Sequence, residues 1–218
     1  MDQQFKSRRD FLKVASMAAI AFPFTVTCKR AALGQNTETV LSLIKKNAAP
    51  SGTEARGAID APDNISWKTA LSKKSDKDQP MIISGTIFQP DGKTPAPNVL
   101  IYFYHTDSEG YYGRRSEVRD GHFRGWMLTD ASGRYEFSSI KPAPYPSRTD
   151  AAHVHMTVTG LNFPEDSINT ILFEGDPLIK EHERNSAGKW GEFIPILKLE
   201  KGADGILRGT RNFKLWKY

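Results

Sequence analysis

Arg124-Gly125-Trp126-Met127-Leu128-Thr129-Asp130-Ala131-Ser132-Gly133-Arg134-Tyr135-Glu136-Phe137 reads as strand, turn and strand. Ala131-Ser132-Gly133 supplies the turn, and the run after it alternates, with Tyr135, Phe137 and Ser139 on one face as a core-facing row. The same pattern repeats on both sides. Pro90-Asp91-Gly92 and Ser108-Glu109-Gly110 punctuate short runs rich in β-branched and aromatic residues. Strands are expected at Met81–Phe88, Asn98–His105, Trp126–Thr129, Arg134–Ile140, His153–Thr159, Thr170–Phe173, Ile194–Leu199 and Gly205–Phe213. With no long helix between them, they predict an all-β chain built as an antiparallel two-sheet β-sandwich. The polar stretch Pro177–Gly191 is expected to be a loop with one helical turn.

The N-terminal part differs. Of the net charge of +5, residues 1–34 hold +4, from Lys6, Arg8, Arg9, Lys13, Lys29 and Arg30 against Asp2 and Asp10. The body is nearly neutral, which argues against a nucleic-acid surface. Ser7-Arg8-Arg9-Asp10-Phe11-Leu12-Lys13 followed by the apolar Val14–Val26 matches a twin-arginine export signal, too short for a membrane span of about 20 residues. Small residues at Ala32-Leu33-Gly34 suggest processing before Gln35, and Cys28 offers a competing lipid-attachment site. The expected destination is the periplasm or the exterior. Once Cys28 leaves with the leader, disulfides and thiolate sites are excluded. Residues 35–80 are expected as an N-terminal arm, mostly irregular. Its short helix at Thr37–Lys46 has Val40, Leu43 and Ile44 on one face and Leu41 at the edge. Residues 81–218 form the sandwich, and the arm could serve a homo-oligomer.

His153-Val154-His155 lies in an expected strand, so both imidazoles project from one face and can reach one ion. Eight residues earlier stands Tyr145, between Pro144 and Pro146 in a stiffened loop. Further upstream, Tyr104-His105-Thr106-Asp107-Ser108-Glu109-Gly110-Tyr111-Tyr112 ends a strand in a turn bearing tyrosines. The chain therefore runs tyrosine, hairpin, tyrosine, paired histidines.

In that order the motifs resemble the intradiol ring-cleavage dioxygenases, the catechol and protocatechuate 3,4-dioxygenase family, and especially its small exported members. Tyr104 to Tyr112 follows the family's W-x-x-[ND]-x-x-G-x-Y pattern, with Tyr104 in the tryptophan's place. Ser139-Ile140-Lys141-Pro142-Ala143-Pro144-Tyr145-Pro146 follows T-I-x-P-x-x-Y-P, and His153-Val154-His155 follows H-[IV]-H. The resemblance implies an iron(III) site with Tyr112, Tyr145, His153 and His155 as ligands, a small aromatic diol and dioxygen as substrates, and a muconic-acid-type product. Two phenolates offset the ferric charge, and two imidazoles complete the set without soft sulfur donors. Tyr145 is implied to act also as the ligand that accepts a substrate proton.

The match departs from the family at two places. The arginine expected three residues before the first histidine is Asp150 here, while Arg148 follows Tyr145 at the spacing of exported members and is the candidate catalytic cation. A glutamine position falls at Thr170. Tyr111 competes with Tyr112, but strand alternation sends neighbours to opposite faces. His105 and His122 are expected as pocket or rim residues, His182 as solvated, and Trp126 and Trp190 as packing residues. A non-enzymatic prealbumin/Ig-like spacer would explain the strands but not the assembled tyrosines and histidines. A metal-binding relative that has lost ring cleavage would explain Asp150.

Overall fold

A computed structural model describes residues 39–49, 57–71, 78–113, 121–187 and 191–217. The expected leader and Cys28 lie outside the described residues, as does Trp190. No described helix is long and apolar enough to cross a membrane. Strands dominate and form two sheets, as expected. The first sheet runs β1 (Lys68–Ala70), β5 (Arg134–Ile140), β2 (Pro80–Phe88), β10 (Leu207–Thr210) and β9 (Glu200–Lys201), with β11 (Phe213–Lys214) also paired to β2. The second runs β4 (Phe123–Leu128), β3 (Leu100–His105), β6 (His153–Gly160), β7 (Phe163–Phe173) and β8 (Ile196–Leu197).

Both sheets are mixed, which corrects the antiparallel expectation. The β4-β3-β6-β7 run and the β2-β5 pair are antiparallel, but β1 runs parallel to β5, β10 and β11 parallel to β2, and β8 parallel to β7. Alternation reveals which residues share a face but not the direction of the neighbour. The parallel strands are short segments delivered by long connections rather than hairpins. The expected Gly205–Phe213 strand is in fact two, β10 and β11, separated by Arg211 and Asn212. The Thr170–Phe173 strand extends back to Phe163, and the loop near Glu181 holds a helix, α2 (Glu181–Ala187).

The core between the sheets is assembled by period-two alternation. Met81, Ile83 and Ile87 of β2 meet Ile101 and Phe103 of β3, Tyr135 and Phe137 of β5, and Val154, Met156 and Val158 of β6. Phe103 stacks on Phe137 with ring centroids 4.2 Å apart. Tyr135 is thus a core residue, as its alternation predicts, with its hydroxyl donating to the Arg211 carbonyl at 2.5 Å.

The arm is less irregular than its composition suggests. Thr39 caps α1 (Val40–Lys45) by accepting the Ser42 amide at 3.1 Å. Leu41 and Ile44 are buried with Ala58, Ala61 and Leu100, while Val40 and Leu43 are exposed, so the helix packs through a different face from the one expected. The apolar residues cover one broad side of this short helix, with Leu41 and Leu43 at its two edges, and tertiary contacts select the edge that carries Leu41. Glu165 of β7 fastens the arm down. Its buried carboxylate accepts the amides of Ala49, Gly57 and Ala58 at 3.0, 2.7 and 3.0 Å and the Thr157 hydroxyl at 2.9 Å. Trp126 packs as expected and donates its indole N–H to the Gly57 carbonyl at 2.7 Å.

Glu165→Ala strands these donors in a buried position, and is expected to cost about 3 kcal/mol. Urea unfolding of the variant measures it. A loss below about 0.5 kcal/mol would show that water serves the arm's amides equally well.

Candidate metal centre

On β6 the core-facing Val154 and Met156 alternate with His153 and His155, so the imidazoles lie on the outer face of the second sheet. At His155 the β6-β7 register shifts: Val154 pairs with Ile171 but Met156 with Ile168, so Asn169 and Thr170 share the span opposite one histidine. Such a bulge re-aims side chains locally. Thr170 lines the resulting cavity of about 250 Å³ with Tyr145, Asp150, His153, His155 and Leu172.

Two loops bring the tyrosines to this face. Residues 106–113 leave β3 and are folded on Asp107, whose carboxylate accepts the Glu109 and Tyr111 amides, each at 2.9 Å. Residues 141–152 leave β5. The loops are joined directly: the Thr106 hydroxyl donates to the Ala143 carbonyl at 2.7 Å, and the Ala143 amide donates to the Asp107 carbonyl at 3.0 Å. Gly110 has φ +87°, and a Cβ there would stand 2.1 Å from the Pro144 carbonyl oxygen, so glycine alone permits this approach.

The hydroxyls of Tyr112 and Tyr145 are 2.7 Å apart, and the Tyr145 oxygen lies 3.2 Å from His153 Nε2 and 3.5 Å from His155 Nε2. The two Nε2 atoms are 2.9 Å apart. All four residues are half-buried. His153 Nδ1 lies 2.6 Å from the Ala151 carbonyl, which can only accept, so Nδ1 carries the hydrogen and Nε2 presents a lone pair. Burial, with His153 beside it, pushes the His155 imidazole down to about 4, leaving it neutral as a ligand must be. Donors bound to one metal ion at about 2.0–2.2 Å stand roughly 3 Å from each other, the spacing found here. Among the described residues no group of three or more His, Cys, Asp and Glu converges. The phenol-imidazole set has a donor chemistry that fits ferric iron.

The other candidates separate cleanly. Tyr111 is exposed, whereas Tyr112 joins the cluster through its hydroxyl. Arg148, at φ +54°, closes a turn through its amide to the Tyr145 carbonyl at 2.8 Å; its side chain is exposed and outside the cavity lining. Asp150 lines the cavity and bonds Lys180 at 2.8 Å, which holds its carboxyl below the usual range. His122 and His182 are exposed. Tyr104 was legible only as a motif position, yet its ring stacks on His155 with centroids 4.6 Å apart. Its partner follows from the β3-β6 register, which single-strand patterns do not contain. A larger cleft of about 1020 Å³, lined by Glu136, Glu174, Arg184 and Arg208 among others, holds no comparable donor set.

The family model described as Dioxygenase matches residues 60–194, more than half of the chain. The chain belongs to the intradiol dioxygenase family. Protocatechuate 3,4-dioxygenase beta chain of Burkholderia cepacia is 27% identical over 139 residues, covering 59% of this chain and 57% of that protein. Catechol 1,2-dioxygenase 1 of Acinetobacter lwoffii is 28% identical over 150 residues, covering 58% and 46%. The chain thus spans about half the length of these curated relatives. Among solved structures, the dioxygenase domain of a dioxygenase carbohydrate-binding protein fusion from Streptomyces sp. SirexAA-E superposes with a TM-score of 0.52 at 23% identity, covering 77% of this chain and 97% of that one. That likeness supports the intradiol fold.

His105 was expected to line the pocket or its rim, but it is fully buried between the sheets. Desolvation pushes its imidazole down to about 4 from an ordinary 6.5. A histidine with a depressed folded pKa contributes stability that is complete above about 6.5 and lost as pH falls toward 4. For this shift the loss is about 3 kcal/mol. Denaturant unfolding of wild type and His105→Gln at pH 7 and pH 4.5 checks it: the wild type should lose more stability on acidification than the variant, and equal losses would contradict it.

Proposed function

We propose that Tyr112, Tyr145, His153 and His155 hold a ferric ion, and that the chain cleaves a catechol-type ring between its two hydroxylated carbons, incorporating both atoms of dioxygen. The observation that carries this reading is the convergence of two phenol oxygens and two imidazole nitrogens on one point beside a cavity. A ferric ion at that point would supply the Lewis acidity that ionises a bound catechol and makes its ring reactive toward dioxygen.

The protein's own groups divide the remaining work. The Ala151 carbonyl fixes the His153 tautomer, and Tyr104 stacks against His155, so both imidazoles are oriented in advance. Tyr145 is the tyrosine of the cluster that lines the cavity, so its oxygen is placed to take a proton from an incoming catechol hydroxyl. Tyr112 lies outside the lining and serves as the ligand that stays. A cavity of about 250 Å³ is below the usual 300–1,000 Å³ of drug-sized sites and suits one ring with small substituents. Arg148, three residues after Tyr145 on the same loop, is assigned the charge-stabilising role left open by Asp150, and to fill it the side chain would have to turn inward from its exposed position outside the cavity lining. Export by the twin-arginine route to the periplasm or exterior completes the reading. It would carry the protein across already folded around its metal.

Oxygen-electrode assays with catechol in air test the activity. Wild type should consume one dioxygen per catechol and form a muconate absorbing in the ultraviolet. Tyr145→Phe should lose at least about 100-fold in kcat, because removing a ligand and a proton acceptor together exceeds the loss of one oriented donor. Catechol binding with no oxygen uptake would instead favour a metal-binding protein without ring cleavage. Arg148→Ala should lower kcat/KM about tenfold at unchanged iron content; an unchanged kcat/KM would remove Arg148 from the mechanism.

A further inference from the structure

His105 ends β3 where the Tyr112 loop begins, and Ser139 stands next to the end of β5, where the Tyr145 loop begins. They belong to different sheets. His105 Nδ1 lies 2.7 Å from the Thr106 carbonyl, and Nε2 lies 2.8 Å from Ser139 Oγ. Because a carbonyl only accepts, Nδ1 carries the hydrogen; Nε2 therefore accepts from the Ser139 hydroxyl, and both ring nitrogens are satisfied in one neutral tautomer. Phe123 stacks on the ring at 5.2 Å and closes it from water. His105 and Ser139 continue the core row in which Phe103 stacks on Phe137, so a polar rung replaces an apolar one at the end of the sandwich nearest the tyrosine loops.

A buried histidine between sheets costs stability on acidification and gives up hydrophobic area, so packing alone does not favour it over leucine. Its position suggests what it provides. The Thr106-Ala143 and Ala143-Asp107 bonds join the loops only a few residues further on. We propose that His105 is a positioning residue: through Ser139 and the Thr106 carbonyl it locks the roots of the two loops together and so sets the separation of the Tyr112 and Tyr145 hydroxyls. Its relevance to iron rests on the metal reading above; its effect on the tyrosines does not.

The test keeps the two apart. Protein labelled with 3-fluorotyrosine and freed of metal is examined by fluorine NMR, with Tyr112→Phe and Tyr145→Phe assigning the resonances. In His105→Leu both resonances should shift or broaden, in Ser139→Ala they should move in the same direction by less, and His105→Gln, which keeps a donor and an acceptor, should restore them. Ile83→Ala, in the middle of the core, should lose comparable stability and leave both resonances in place. Iron affinity, measured by competition with a chelator, should fall about 10- to 100-fold in His105→Leu and recover in His105→Gln. Unmoved fluorine resonances in both His105→Leu and Ser139→Ala overturn the proposal, as does equal movement in Ile83→Ala. A wild type that takes up no iron overturns the metal reading, while the fluorine spectra still decide the role of His105.

Discussion

Everything at the centre depends on the pleat of β6. Val154, Met156 and Val158 must face the inter-sheet core, and that requirement turns His153, His155 and Thr157 outward together. A slip of one residue would bury two imidazoles and expose three core side chains. The hydrophobic cost of that slip fixes the histidine pair in place, and the same alternation sends Thr157 to the carboxylate that fastens the arm. Core packing and site geometry are consequences of one register.

The tyrosines reach the histidines by a different device. Each sits on a loop, and loops need their own constraints to be accurate at ångström scale. Here the constraint is mutual: Gly110 lets the first loop approach the Pro144 carbonyl, and backbone and hydroxyl donors then join the two. One further rung, His105 to Ser139, ties the loops to the strands beneath them. The prolines around Tyr145 limit its loop's freedom before any contact forms.

Much of this was legible in the sequence because it is local. The turn at Ala131-Ser132-Gly133, the alternation of Tyr135 and Phe137, and the spacing of His153 and His155 follow from the two-residue period of a strand. What was not legible is relational. Alternation is identical in parallel and antiparallel strands, so β8, β10 and β11 gave no sign of their direction, and β1 lies in the stretch expected as an irregular arm. The helix at Val40 has a broad apolar side with Leu41 and Leu43 at its two edges, and only the surface under it selects Leu41 and Ile44. His105 looked like a rim residue because nothing in its own strand announces that its partner, Ser139, lies on the opposite sheet. Tyr104 was visible as a motif position, while its stacking on His155 needed the β3-β6 register.

The family assignment and the donor geometry bear on one claim at different depths: the first on the kind of enzyme, the second on which atoms would carry the metal. The direct test is the visible spectrum of purified protein together with its iron content. Tyrosinate bound to iron(III) transfers charge to the metal in the visible range, so the account predicts a coloured protein with about one iron per chain, whose band moves when catechol is added and weakens in Tyr112→Phe. A colourless protein that takes up no iron on reconstitution, or a band indifferent to both tyrosines, would contradict it.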